Sequence, residues 1–401
     1  GTAFTYFNQD KIGNTLVDSI KSGIRSECEI KDVKLDLFGN FPLVSADISG
    51  IQIDGLDSTA FLEAEHLYLY INPLTLLFDE LKIKKLKLSN STVEIRKLEE
   101  GFNYKVFGKE KPGSEAAGVA FQIEKAVLEN VDVLFVDTPS KIRLNTSIKS
   151  ALAKGDFSNE YINCHIESTM FSRYLSVRDE KYAEGNEMRI DGDFSINLEK
   201  QFYQFKKLLI GLNGNVYDFS GNIRDWQDHI SYDLEINCLN GKTQHLIKSL
   251  PTTYQAFFNT YSITGPMKAT CQINGRSSET SNPFIDLDLH VKDGKISSNL
   301  YNDEIQQTTF DLKYDNGGAR QNHSSTVRVE NLIALYHGKP FGGNLQIKNF
   351  SFPTMDVNRE GRIHATLLNP FSAEQDILLT KGEIELQQFR INDLWLDRIS
   401  P

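Results

Sequence analysis

The sequence predicts a mainly β chain preceded by an amphipathic helix and interrupted by a few short helices. Three observations carry that prediction. Apolar and polar residues alternate with period two from Cys28 almost to the C-terminus, which sets apolar side chains on one face of a sheet. Glycine and asparagine clusters punctuate the alternation as hairpin corners do. Two longer stretches, 8–24 and 242–261, carry apolar residues at helical spacing instead.

Within 8–24, Ile12, Leu16, Val17, Ile20 and Ile24 form one helical stripe, and Gly23 is a natural stop. Strands follow over 28–38, 43–53, 61–71, 81–88 and 92–98. The apolar positions of the first are Val33, Leu35 and Leu37. In the third, Leu67, Leu69 and Ile71 alternate; in the fourth, Leu81, Ile83, Leu86 and Leu88 do, with a phase change at Lys84-Lys85 that requires a β-bulge. Asn72-Pro73 ahead of Leu74, Leu76, Leu77 and Phe78 predicts one helical turn, capped by Asn and started by Pro.

The polar, small-residue segment 108–118 is the clearest break, separating an N-terminal unit (1–107) from a longer β region (119–401). Strands are predicted there over 121–128, 131–136, 142–148, 161–171 and 188–198. Residues 201–211 fit either a strand or a helix, and the glycine- and asparagine-punctuated stretch after them favours a strand. At 242–261, Leu246, Leu250, Tyr254, Phe257, Phe258 and Tyr261 keep helical spacing, and Pro251 splits them into two short helices. Strands resume at 265–274, 284–293, 308–314, 326–336, 343–350, 361–368 and 381–391, with long solvated loops at 274–283 and 315–325. The glycine-led segments opening at Gly265, Gly343 and Gly382 resemble one another weakly, as stacked hairpin units would.

Bulk properties narrow the function classes. With 40% apolar and 24% charged residues and only 11 prolines in 401, the chain has the composition of a folded protein without long linkers. A net charge of −11 argues against a nucleic-acid partner, whose phosphates demand a dense cationic surface. No run of about 18 apolar residues is present to span a bilayer, and no signal-peptide pattern opens the chain at Gly1-Thr2-Ala3.

Chemistry-bearing patterns are sparse. The sequence contains no HExxH, GxSxG, GxGxxG or P-loop spacing, so no catalytic residue, cofactor or metal is expected. Cys164 and His165 are adjacent in a predicted strand and point to opposite faces, unlike a nucleophile and its base. Cys28, Cys164, Cys238 and Cys271 read as free, buried thiols, with a Cys164 to Cys238 bridge as the alternative in an oxidising compartment. Lys82, Lys84, Lys85 and Lys87 form a basic strand face; solvation is its default role, and contact with anionic headgroups is the sharper one. Val131, Val133 and Phe135 against Leu134 and Val136 make one stretch apolar on both faces, which predicts a covered layer.

The first hundred residues follow a specific succession. The helical stripe leads into a strand followed by Phe38-Gly-Asn-Phe-Pro42, a second strand ending at Asp54-Gly55, the 61–78 segment, the lysine-rich 81–88 strand and Gly101-Phe-Asn-Tyr-Lys-Val-Phe107. This order resembles the N-terminal region of the AsmA-like family of bacterial envelope proteins over about residues 5–107, and the rest resembles the family's later sheet in style. The resemblance implies a long, curled antiparallel sheet enclosing an apolar groove, akin to bridge-like lipid carriers. It further implies a periplasmic body, an inner-membrane anchoring helix upstream of this chain, and a role in phospholipid movement between the membranes and in outer-membrane biogenesis. On that reading Val33, Leu35, Leu37, Leu67, Leu69, Ile71, Leu81, Ile83, Leu86 and Leu88 line the groove, with phospholipid or another acyl-chain lipid as partner. A non-catalytic assembly factor for envelope proteins and a secreted, glycan-binding β-sandwich are the alternatives. A sheet packed on a second sheet is the commoner fate of an apolar β face.

Overall fold

The computed structural model describes residues 17–36, 39–72, 81–106, 119–250, 261–298, 303–349 and 354–360 apart from isolated positions, together with 362–364, 376–378 and 382–386. The chain is mainly β and divides into two compact units, Gly1–Glu199 and Lys200–Pro401.

The first unit contains β1 (Cys28–Asp36), β2 (Val44–Asp54), β3 (Ala60–Ile71), β4 (Leu81–Leu98), β5 (Gly101–Phe102), β6 (Val119–Asp137), β7 (Ile142–Phe157), β8 (Tyr161–Val177), β9 (Glu180–Tyr182) and β10 (Asn186–Asn197). Strands β1 to β4 pair in sequence, antiparallel, and β6, β7, β8 and β10 do the same. The two runs meet where β4 pairs with β6 in parallel, a departure from the uniformly antiparallel sheet expected. A parallel neighbour needs a crossover of a dozen or more residues, and the twenty positions 99–118 supply it. The predicted break at 108–118 falls in this crossover and outside the described residues. So do the helical turn after Asn72 and most of the N-terminal helical stripe; Val17, Asp18, Ile20 and Lys21 are helical, and Ile20 and Ile24 pack on the core.

Two pairs of predicted strands, 81–88 with 92–98 and 121–128 with 131–136, are single long strands, β4 and β6. The apparent breaks mark a crease. Pairing skips one position in each strand, at Lys31, Gly50, Glu65, Asn90, Asn130 and Lys149, while the register on either side is kept. Gly50, Asn90 and Asn130 occupy the left-handed region (φ 60°, 49° and 53°), the conformation that glycine and asparagine tolerate best. The skipped row reverses the inside-outside alternation of these six strands together. Ile48 and Ile51, three apart, are therefore both buried. The bulge expected at Lys84-Lys85 is present, since pairing shifts between Ile83 and Lys85.

The second unit holds β11 (Phe202–Leu212), β12 (Asn215–Asp225), β13 (Ile230–Lys242), helix α1 (Thr243–Ile247), β14 (Tyr261–Thr264), β15 (Pro266–Ser277), β16 (Phe284–Ser298), β17 (Asp303–Asp315), a 3-10 turn (Asn322–Ser324), β18 (Thr326–Tyr336), β19 (Lys339–Lys348) and β20 (Thr354–Glu360). Three short strands follow, β21 (Arg362–His364), β22 (Asp376–Leu378) and β23 (Gly382–Leu386). Antiparallel pairing runs β11, β12, β13, β15, β16, β17, β18, β19, β20, β23, with β14 beside the end of β16. Residues 201–211 are thus a strand, as the turn chemistry after them favours. The helical stretch expected over 242–261 is shorter: Lys242 closes β13, Tyr261 opens β14 and the helix ends at Ile247, while 251–260 lie outside the described residues.

Candidate functional site, an apolar sheet face

Directly opposed residues of paired strands share a face, so the register maps each face of the sheet. In the first unit one row runs Val33, Ile48, Leu67, Leu88, Leu128, Ala151, and the next runs Leu35, Ala46, Leu69, Leu86, Ala126, Ala153. Eight of the ten predicted groove residues fall in these rows or beside them, with Ile71 opposite Ile83. Leu37 lies outside the described residues, and Leu81 is placed only as the first residue of β4.

Burial divides this face into two parts. Across β2 to β4 it is a sealed core: Leu67, Leu69, Ile71, Ile83 and Leu88 are at most 8% exposed, and Ala46 and Ile48 are 0%. Ile20, Ile24 and Val106 pack on them, with Val33, Leu35 and Leu86 half-buried at the margin. Across β7 to β10 the same face is half-exposed at Ile148, Ile162, Ile166, Met170 and Ile190.

The second unit carries the longest apolar row. Leu208, Phe219, Ile236, Cys271, Leu287, Tyr314, Val327 and Ile347 stand side by side across eight strands. Cys238, Ala269, Leu289, Leu312, Val329 and Leu345 form a parallel row two residues away. Beside the longer row, on the other face, Leu209 opens a row that is polar from β12 onward: Asp218, Asn237, Thr270, Asp288, Lys313, Arg328 and Gln346. All members of the two apolar rows are half-buried except Leu208 and Cys238. Hydrophobic clustering here draws on neighbouring strands and on Leu246 of α1; the two-stranded β21–β22 pair forms a separate sheet. The β2 to β4 face is mostly buried, whereas most residues of these two rows are only half-buried.

The polar side has its own concavity. At the crease of the first unit a cavity of about 820 Å³ is lined by Glu29, Lys31, Glu63, Glu65, Asp132 and Lys149 among others. The Asn90 amide donates to Glu65 at 2.9 Å and the Asn130 amide to Asn90 at 3.3 Å, stitching the crease across strands. Asp132 accepts from the Ser147 hydroxyl at 2.5 Å and from Arg173 at 2.9 Å; these contacts hold its carboxyl below the usual range. The cavity mixes both signs of charge, and no group of His, Cys, Asp or Glu suited to a metal occurs among the described residues.

Two lysines of the basic strand face are paired with carboxylates of the neighbouring strand and a third lies over a tyrosine ring: Lys84 pairs with Glu124, Lys87 with Glu129 at 2.8 Å, and Lys85 lies over the Tyr70 ring at 4.1 Å. Cys164 is buried among strands and its thiol is pushed up to about 11 by that burial, while His165 on the other face contacts Asp193 and Asp191 at 3.0 and 3.3 Å. All four cysteines are free.

Compared with family models, curated proteins and solved structures, the chain matches none. The long row from Leu208 to Ile347 is the feature that sequence inspection missed. Each strand's alternation is visible there, but only the register shows that eight such strands place their apolar residues in line.

Proposed function

We infer that this chain is an AsmA-like lipid carrier whose half-open apolar face holds acyl chains in a groove, in the periplasm, on the route of phospholipid between the inner and outer membranes. The observation that carries this reading is the row from Leu208 to Ile347, apolar across eight strands and half-buried at every position but Leu208, which is buried. Moving a diacyl lipid with roughly 30 methylenes through water costs on the order of 25 kcal/mol at ~0.8 kcal/mol per methylene. A continuous apolar strip removes most of that barrier at every point along it, without a pocket shaped for one molecule.

The same strip left bare would be a liability, since contiguous exposed apolar patches drive association. A bound acyl chain resolves that conflict. Inner-membrane anchoring by a segment upstream and a part in outer-membrane biogenesis complete the reading and rest on the resemblance of residues 5–107. Native mass spectrometry of the full chain, purified in mild detergent, tests it: acyl lipid co-purifies and is released on extraction. A chain that stays folded and carries no lipid contradicts it.

A further inference from the structure

The loop 315–325, expected to be solvated, is tightly built. The buried Asn316 side chain accepts from the Ile285 N–H at 2.9 Å and donates to the Pro283 carbonyl at 2.8 Å. The Ser324 hydroxyl donates to the Asn316 carbonyl at 2.6 Å, and Ser325 is 1% exposed. Arg320 is fixed at both backbone groups: its N–H donates to the Gly317 carbonyl at 3.1 Å and its carbonyl accepts from the Asn282 amide at 3.1 Å.

This scaffold holds the Arg320 guanidinium over Gly275, where a Cβ would stand 2.6 Å from Nη1. Gly275 is opposite Tyr232, which continues through Ile223 to Tyr203, on the face that carries Leu234, Ile236 and Cys238. Arg320 therefore closes one end of the apolar strip. Its side chain is half-buried and has no hydrogen bond or ion pair among the described residues. From Gly275 back to Ala269 the strip runs six residues along β15, through Ile273 and Cys271, all half-buried, roughly 20 Å at ~3.3 Å per residue. One leaflet of a bilayer core is about 15 Å thick, so the strip accommodates an extended acyl chain.

We propose that Arg320 is the headgroup anchor for an anionic amphiphile, a phosphate ester whose acyl chain lies along the half-buried apolar face of β15 toward Ala269. This rests on the acyl-carrying reading above. The forked guanidinium suits a phosphate, and the tyrosines at its level present amphipathic rings where chain gives way to headgroup.

The test uses the full chain, wild type and Arg320→Gln, incubated with phosphatidylcholine vesicles containing either dioleoylphosphatidic acid or dioleoylglycerol. Bound lipid is then counted by native mass spectrometry. Wild type prefers the phosphatidic acid, and Arg320→Gln lowers its occupancy about tenfold with dioleoylglycerol unchanged. Arg320→Lys, which keeps the charge and loses the fork, falls between them. Equal preference in wild type and Arg320→Gln overturns the anchor and leaves acyl carriage standing. Failure of wild type to take up either lipid overturns both. Glycerol 3-phosphate competing as well as phosphatidic acid assigns the arginine to a free phosphate ester and overturns the amphiphile. An unchanged unfolding midpoint in Arg320→Gln ties the loss to binding; if that midpoint falls, the Arg320→Lys series decides by the same criterion.

Discussion

Three buried asparagines do the same structural task. Asn103, 0% exposed, accepts from the Arg96 N–H and donates to the Glu94 carbonyl, both at 2.8 Å. Asn215 bridges the N–H and carbonyl of Lys242, and Asn316 serves Ile285 and Pro283. Each primary amide imitates a strand neighbour where the ladder stops short. Asn103→Ala strands one donor and one acceptor in the interior, and at ~1–3 kcal/mol each the loss is about 2–6 kcal/mol in urea unfolding. None of this was legible in the sequence, because an asparagine at a strand end reads as a turn residue and the backbone groups it serves are chosen only by the fold. Asp132 was equally silent. Its carboxyl is held below the ordinary range by Ser147 first and then by Arg173, so its contribution to stability exists above about pH 4 and fades as pH falls through the lowered value. Asp132→Asn is expected to cost a few tenths to ~1 kcal/mol near neutrality, with the gap from wild type closing on acidification. The Cys164 thiol, pushed up to about 11, stays protonated at neutral pH and resists alkylation until the chain is unfolded, which mass spectrometry of iodoacetamide-treated protein reads directly.

The strands themselves were legible, and the reason is physical. Period two is imposed by the pleat, so 28–38, 43–53 and 61–71 appear in the sequence nearly as they fold, as β1, β2 and β3. Where the reading split β4 and β6, it had detected the crease, whose phase reversal looks like a strand end when each strand is read alone. Only neighbouring strands reveal that the breaks align. The crease gives a prediction at this scale. Asn130 has φ 53°, a conformation that a β-branched residue adopts at a cost of roughly 1–2 kcal/mol, so Asn130→Val destabilises by about that much and Asn130→Gly by far less. A comparable loss for both would assign the effect to the Asn130 to Asn90 hydrogen bond instead.

Taken as a whole molecule, the chain spends its apolar residues in two ways. Across β2 to β4 they form a sealed core, and in the second unit they form rows left half-open. The predicted groove residues Leu69 and Ile83 belong to the first kind, at 3% and 1% exposure, so Leu69→Glu buries an unpaired charge and abolishes folding. Alternation alone could not separate the two, because both produce the same sequence pattern and differ only in what lies above the sheet. The central claim is that the open rows hold acyl chains. Leu287, half-buried in the middle of the longest row, tests it most directly through the lipid occupancy of Leu287→Glu, measured by native mass spectrometry beside wild type and with unfolding recorded on both. The account predicts a folded variant that has lost most of its bound acyl lipid; a folded variant that carries as much lipid as wild type would contradict it.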